Sequence, residues 1–379
     1  MRVFVIAGEP SGDKLGAALM AGLRDLAPDV AFTGVGGDEM RGQGLASLFA
    51  MADLSVMGLA EVLPRIPLLR RRIHETAQAI AAQRPDLVIS IDSPDFCLRV
   101  LKLARKSRPD LPVVHYVAPS VWAWRPGRAA RMAPLVDHVL ALLPFEPPYM
   151  EAAGMSCDFV GHPVVAEPRA SDAEIAALRA RIAGPILLAL PGSRRGEIAR
   201  HAPRFGAALS QVVPDGAQVL VPSVADRAEQ MRAEVAHWPF RARVLEQADE
   251  KRAAFALAQV ALAASGTVSL ELAANDTPMV IAYDVNPVSR FLAERLVTLD
   301  TVTLVNLVSE TRAIPEFLGR NCQPDKIAAE LKALLESPAR RVAQRHAMHL
   351  TMTRLGQGGD APGTRAAASV LRFMEARRG

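Results

Sequence analysis

Three short clusters in this chain carry residue types at spacings that could do chemistry. The first runs from Val260 to Ala273, Val-Ala-Leu-Ala-Ala-Ser-Gly-Thr-Val-Ser-Leu-Glu-Leu-Ala. Its apolar half reads as a buried strand, and the rest as a helix beginning near Ser265, Gly266 and Thr267. Unpaired backbone N–H groups and the helix dipole at such a junction suit a phosphate, and Gly266 permits close approach. Glu271 lies one turn on, on the face of Thr267, where a carboxylate could bind the two hydroxyls of a ribose. The plainer reading is an ordinary strand–helix junction, which recurs throughout α/β domains. The second cluster, Pro191-Gly192-Ser193-Arg194, follows the apolar run 185–190. It offers backbone donors and a permanently charged guanidinium to a diphosphate. A solvated basic loop is the alternative, but with Ser265–Thr267 in the same half a phosphate site is the better reading. The third is Asp92, directly after the apolar strand 87–91. In open parallel sheets ligands bind outside the carboxyl ends of the strands, so Asp92 stands where a general base would be wanted. It could also be a turn-forming aspartate. Asp95, three residues on, reads as a helix cap.

Alternating strands and helices must position these groups. A strand at 3–7 feeds Gly8-Glu9-Pro10-Ser11-Gly12-Asp13 and then an amphipathic helix from about Lys14 to Leu26, the start of a doubly wound domain. The loop lacks the Gly-x-Gly-x-x-Gly spacing, so a dinucleotide site is poorly supported. A second glycine turn spans 34–37. Strands follow at 113–117, 138–143 and 157–160. The first of these ends in Ala118-Pro119-Ser120-Val121-Trp122-Ala123-Trp124-Arg125. Trp122 and Trp124 could stack on sugar faces or hold acyl chains, or simply close the core under a loop. Gly161-His162-Pro163 ends the first domain; His162 is a cleft candidate, with a structural role left open. A helix at 171–182 opens the second domain. Strands at 185–190, 218–221, 243–245, 260–264 and 279–283 alternate with helices, the pattern of a parallel sheet. Asn306, in the apolar run 303–308, needs a hydrogen-bond partner from backbone or ligand. Helices read at 324–336 and 338–353, with a last one ending near Arg377. The expected architecture is α/β: two Rossmann-like parallel-sheet domains, 1–165 and 166–345, facing a cleft. A helical segment, 346–379, returns toward the first domain.

Bulk properties narrow the function. A chain of 379 residues, half of them hydrophobic, has room for two substantial cores. The net charge of +4 is carried mostly by arginine, which suits phosphate-bearing ligands or an anionic membrane surface. No aromatic-interleaved basic stripe or zinc-finger spacing points to nucleic acid. Cys97, Cys157 and Cys322 lie far apart, and His346 with His349 lacks a third ligand. Neither a metal, a cofactor nor a disulfide is expected, and the cysteine usage fits a reducing cytoplasm. The N-terminus enters a strand directly and does not read as a signal peptide. No apolar run reaches spanning length, so membrane contact would be peripheral. The candidate for it is the segment 51–73, where Val56, Leu59, Val62, Leu63, Ile66, Leu68 and Leu69 are flanked by Arg65, Arg70, Arg71 and Arg72. Apolar residues beside clustered arginines fit a surface of anionic lipid. A pair of core-packed helices broken at Pro64 and Pro67 has the same signature.

Taken together, five motifs resemble the lipid-A-disaccharide synthase family over essentially the whole chain. They are Gly8-Glu9-Pro10-Ser11-Gly12-Asp13, Ile91-Asp92-Ser93-Pro94-Asp95-Phe96, the block from His115 to Arg125, Leu190-Pro191-Gly192-Ser193-Arg194 and Ala264-Ser265-Gly266-Thr267. The chain departs from the family pattern at Pro10, Ser93 and Arg195. The resemblance implies a two-domain glycosyltransferase of the GT-B type, binding the nucleotide sugar mainly in its C-terminal half. It implies inverting transfer of 2,3-diacylglucosamine from UDP-2,3-diacylglucosamine to the 6-hydroxyl of 2,3-diacylglucosamine 1-phosphate, in lipid A biosynthesis. Asp92 would be the base. Gly192, Ser193, Arg194, Ser265, Gly266, Thr267, Glu271 and Asn306 would hold the nucleotide, with Arg194 also stabilising the leaving diphosphate. Glu9, Ser11, Gly12, Trp122, Trp124 and His162 would line the acceptor side. It further implies peripheral attachment to the cytoplasmic face of the inner membrane. A nucleotide-sugar 2-epimerase of the same architecture and a non-catalytic nucleotide-binding protein are the competing readings.

Overall fold

The computed structural model describes residues 1–54, 59–123, 127–286 and 299–378, with the backbone alone for 59–63. The chain forms two compact units, Met1–Ala166 with Gly358–Gly379, and Glu167–Gln357. Each is described by itself.

The first unit is built on strands β1 (Arg2–Ala7), β2 (Ala31–Val35), β3 (Ala46–Ser47), β4 (Leu87–Ile91), β5 (Val113–Tyr116), β6 (His138–Ala141) and β7 (Ser156–Phe159). They form one seven-stranded sheet in the order β3-β2-β1-β4-β5-β6-β7, parallel throughout. Alternation along β1 feeds two cores. Phe4 and Ile6 pack with Ile73, Ile80, Cys97 and Val100 on one face. Val3, Val5 and Ala7 pack with Leu19, Leu23, Ala367 and Val370 on the other. Helices on both faces explain why the strands are continuously apolar.

The helix Pro10–Leu26 begins at Pro10, four residues earlier than the sequence suggests. Proline needs no N–H partner in a first helical turn. Ser11 and Gly12 are therefore helical residues, not loop. Pro362–Ala376 returns to pack on this helix. The crossing is close enough to need glycine. A Cβ on Gly22 would lie 2.8 Å from the Gly363 carbonyl oxygen, and one on Gly363 would lie 2.5 Å from that of Ala18. A polar clip completes the docking. His138 bonds Ser156 and Ser369, each at 2.8 Å, and stacks on Phe373, while Asp158 accepts from Ser369 and Arg372.

The preceding helix, Pro338–Arg354, is continuous across position 346 and belongs to the second unit. The returning segment is thus shorter than 346–379. The cause is Gln344, whose amide pairs with both backbone groups of Met279 and fixes that helix to the second sheet.

The second unit holds β8 (Ile186–Leu190), β9 (Gln218–Pro222), β10 (Ala242–Leu245), β11 (Val260–Ala263), β12 (Met279–Tyr283) and β13 (Glu316–Leu318). Its six-stranded order is β10-β9-β8-β11-β12-β13. Ser171 caps the unit's opening helix, Asp172–Arg179, in a reciprocal capping box with Glu174. The edge strands β3 and β13 were not anticipated, being too short to show a period of two.

The segment 51–73 is not broken at its prolines. One helix, Leu59–Gln83, runs through Pro64 and Pro67. Val56 and the side chains of Leu59, Val62 and Leu63 lie outside the described residues. Ile66, Leu68 and Leu69 are half-buried, and Arg65, Arg70 and Arg71 are exposed. Arg72 departs from expectation. Its guanidinium bonds Asp53 and Glu75 at 2.6 Å each and lies 4.3 Å over the Phe49 ring, so it secures the helix to its own unit. No described helix is long and apolar enough to cross a membrane.

Candidate active site

Each sheet reverses its strand order once, between β1 and β4 in the first unit and between β8 and β11 in the second. In open parallel sheets ligands bind outside the carboxyl ends of the strands at such points. In the first unit the two loops are Gly8–Glu9 and Asp92–Ser93. They approach so closely that a Cβ on Gly8 would lie 2.8 Å from Ser93 Oγ. Asp92 and Ser93 both have left-handed backbones, φ 48 and 41, and Val117, after the neighbouring β5, has φ 85. For a β-branched residue that is strained. Such strain persists only where surrounding structure enforces it, and it gathers at functional sites. The Asp92 N–H is pinned to the Tyr116 carbonyl at 2.9 Å. Burial pushes the half-buried Asp92 carboxyl above the usual range, and the Ser93 N–H offsets part of that. Ser93, not Asp95, occupies the position before the helix Pro94–Ser107, without a side-chain capping bond; Asp95 sits in the first turn, where a negative charge suits the dipole.

Asp13, part of the first glycine motif, is buried and fully engaged. It accepts from the N–H groups of Gly37, Glu39 and Met40, tying the two glycine turns together. Gly37 is needed because a Cβ there would lie 2.4 Å from Asp13 Oδ2. Of the other candidates on this sheet edge, Glu9 is half-buried and Ser11 exposed, whereas Gly12 is buried. Trp122 donates from Nε1 to Glu146 at 3.2 Å and meets Phe145 edge-on. Trp124 lies outside the described residues. His162 follows β7, three strands from β4. It is buried, accepts from the Val164 N–H, and is held neutral by burial, its pKa lowered to about 4.

Glu146 underlies this sheet edge, which the sequence did not reveal. Its carboxylate is buried beneath the β5 and β6 loops and accepts from Trp122 and from the N–H groups of Leu142 and Leu143. Burial raises its pKa to about 7 against these three donors. The sequence signal available was a lone acid after the apolar strand 138–143, which is also how a solvated loop acid looks.

In the second unit the corresponding loops are Pro191–Arg194 and Ser265–Thr267. Gly192 has φ 121 and Gly266 φ 147, conformations that favour glycine. A Cβ on Gly266 would meet open space. Gly266, Thr267 and Glu271 are exposed and Ser265 half-buried. The Arg194 side chain is 65% exposed and pairs with Glu197 at 2.9 Å. Asn306 sits on a short helix, Leu304–Ser309. Its amide is engaged within the chain, donating to Thr301 and the Ile314 carbonyl and accepting from the Ile314 N–H. Of the two partners left open for it, the backbone is the one found.

Solved nucleotide-sugar enzymes share this fold. The UDP-GlcNAc 2-epimerase of Neisseria meningitidis superposes with a TM-score of 0.64 at 12% identity, over 99% of this chain and 100% of that one. The calicheamicin glycosyltransferase superposes at 0.58 and 16% identity, over 99% and 98%. At such identities the likeness is one of fold. Sequence decides the family. The family described as lipid-A-disaccharide synthetase matches residues 3–369. Lipid-A-disaccharide synthase of Ruegeria pomeroyi is 63% identical over 98% of this chain and 95% of its own. That of Rhodospirillum centenum is 48% identical over 99% and 95%. The chain belongs to this family and is a glycosyltransferase.

Proposed function

We propose that the chain transfers 2,3-diacylglucosamine from UDP-2,3-diacylglucosamine to the 6-hydroxyl of 2,3-diacylglucosamine 1-phosphate. The products are the β-1′,6-linked disaccharide 1-phosphate and UDP. The observation that carries this reading beyond family membership is Asp92, strained and desolvated at the switch point of the first sheet. Asp92 takes the proton of the acceptor hydroxyl, whose oxygen attacks the anomeric carbon from the face opposite UDP, with inversion. A positioned base of this kind is worth roughly 10²–10⁴-fold. Arg194, the N–H groups of Gly192–Arg194 and those near Ser265–Thr267 stabilise the departing diphosphate. Glu271 holds the ribose. Asn306, whose amide is engaged by Thr301 and Ile314, is assigned no direct contact with the nucleotide.

Turnover of UDP-2,3-diacylglucosamine with and without acceptor, for the native chain and Asp92→Asn, tests this. Acceptor-dependent UDP release should fall about 10²–10⁴-fold in the variant with UDP binding retained. Conversion of the UDP-sugar without acceptor would instead indicate an epimerase.

Both substrates are acylated, and the helix Leu59–Gln83 is the proposed contact with the inner membrane's cytoplasmic face. Half-buried Ile66, Leu68 and Leu69 beside exposed Arg65, Arg70 and Arg71 support it. Replacing Leu68 and Leu69 by serine should lower co-sedimentation with anionic phospholipid vesicles while the melting curve stays cooperative. Unchanged co-sedimentation would refute the contact.

A further inference from the structure

The proposed diphosphate loop already contains an anion. Glu197, in the first turn of the helix Arg195–Leu209, folds its carboxylate back into the turn made by Gly192, Ser193 and Arg194. Oε2 accepts from the N–H groups of Ser193 at 3.3 Å and Arg194 at 3.2 Å. Oε1 accepts from Arg194 Nη1 at 2.9 Å and from the Tyr283 hydroxyl at 3.1 Å. Three of these four donors are ones a diphosphate would use. Gly192 makes the fold-back possible, since a Cβ there would lie 2.6 Å from that of Glu197.

We propose that Glu197 occupies the donor-phosphate site in the free enzyme and is exchanged for the diphosphate when the nucleotide binds. The proposal rests on the reading of Gly192–Arg194 as the diphosphate loop. Two anions cannot share the same pair of N–H groups, so the carboxylate must leave before a phosphate oxygen can enter. Its backbone bonds are at the long end of the range, and the Arg194 side of its ion pair is 65% exposed and so screened. The Glu197 side is 12% exposed. Although burial opposes its charge, Arg194 and the hydrogen bonds hold the carboxyl below the usual range, so exchange needs the diphosphate to take over those same donors. Tyr283 is the partner it can keep. Burial and the Glu197 charge push that phenol up to about 12, so its hydroxyl remains a donor throughout. Arg200, one turn along the same helix, also acts on Tyr283 electrostatically, so the displaced carboxylate has a second cation close by.

The consequence concerns affinity and release. A nest that is open only part of the time binds with an affinity reduced by the open fraction. The returning carboxylate then competes with UDP and helps it leave.

The test is calorimetric binding of UDP, inorganic pyrophosphate and uridine to the native chain, Glu197→Gln, Glu197→Asp and Arg194→Ala. Glu197→Gln removes the competing charge. Glu197→Asp keeps an acid at the helix start but shortens its reach, which guards against a variant that does not fold. Both should bind UDP and pyrophosphate about fivefold more tightly, the lower end of ordinary coupling between sites, with uridine unchanged. Equal or weaker UDP binding by both, while Arg194→Ala still loses UDP, would overturn the exchange and leave Glu197 a helix cap. UDP binding unaffected in Arg194→Ala would instead remove the diphosphate reading, and the proposal with it.

Discussion

Glu146 gives the prediction with the most to work from. The residue is 4% exposed, and among the described residues its carboxylate accepts from the Trp122 indole and the N–H groups of Leu142 and Leu143. The donors favour the ionised form and burial opposes it. Burial wins, moving the group from 4.5 to about 7. A shift of that size is worth about 3 kcal/mol at roughly 1.4 kcal/mol per pH unit. The sign follows from proton counting. Between pH 4.5 and 7 the folded chain keeps a proton at Glu146 that the unfolded chain has released. This group's contribution therefore weakens as pH rises through that window, and its full cost is present above it. Glu146→Gln abolishes the titration but turns its NH₂ toward donors, leaving one of them unpaired at a constant cost of about 1–3 kcal/mol. The variant should then be clearly less stable than the native chain at pH 5, with the gap closing or reversing by pH 8. Urea unfolding followed by tryptophan emission in a Trp238→Phe background confines the signal to Trp122 and Trp124 of the first half. A stability gap that does not change with pH would refute the argument.

His115 and His162 act with the opposite sign. Burial lowers each from 6.5 to about 4, so the unfolded chain binds more protons in that window. Their contribution is complete above pH 6.5 and is lost as pH falls through 4, by up to about 3 kcal/mol each. The urea midpoint should drop across this range, and His115→Asn should flatten the drop; an unchanged slope would count against it. Asp13→Ala strands the N–H groups of Gly37, Glu39 and Met40 and should destabilise the first unit by about 2–4 kcal/mol. Asp13→Asn should be milder, since its oxygen can still accept from Gly37 and Met40. Equal melting of both variants and the native chain would sink the tie between the glycine turns.

Most of the sheet framework was legible because parallel strands covered on both faces are continuous apolar runs. The strands at 87–91, 186–190 and 279–283 stand out for that reason, and the switch-point loops follow from them. Less legible was how each polar group is used. Asn306 announces a need for a partner but not which one, and only the fold brings Ile314 to it. Arg72 looks like Arg70 and Arg71 until Asp53, 19 positions away in sequence, closes on it. Glu197 looks like a helix-start acid, and its fold-back onto the Ser193 and Arg194 N–H groups of the proposed phosphate loop depends on the φ of Gly192. The early start at Pro10 was hidden because glycine, proline and serine together read as loop.

Comparing the carboxylates along the first sheet's edge supports the choice of Asp92 as base. Asp13 accepts three backbone bonds and is enclosed; it cannot take a substrate proton without releasing a turn. Glu146 is enclosed too, and its lone pairs face the protein's own donors. Asp95 is exposed in the first turn of the helix Pro94–Ser107, outside the strained switch-point turn. Asp92 differs from all three. Like Glu146 its pKa is raised by burial, but it is only half-buried, and its left-handed backbone is fixed by a bond to Tyr116. A general base must be ionised at the working pH yet basic enough to accept a proton, and a partly desolvated carboxylate meets both demands. Its rate profile should accordingly fall on the acid side at a pH above that of an ordinary aspartate. In Asp92→Glu, where the carboxylate is displaced by one methylene, the rate should drop while an acid limb persists. In Asp92→Asn the limb should vanish along with the base. An unaltered acid limb in Asp92→Asn would assign it to another group and return Asp92 to a turn-forming role.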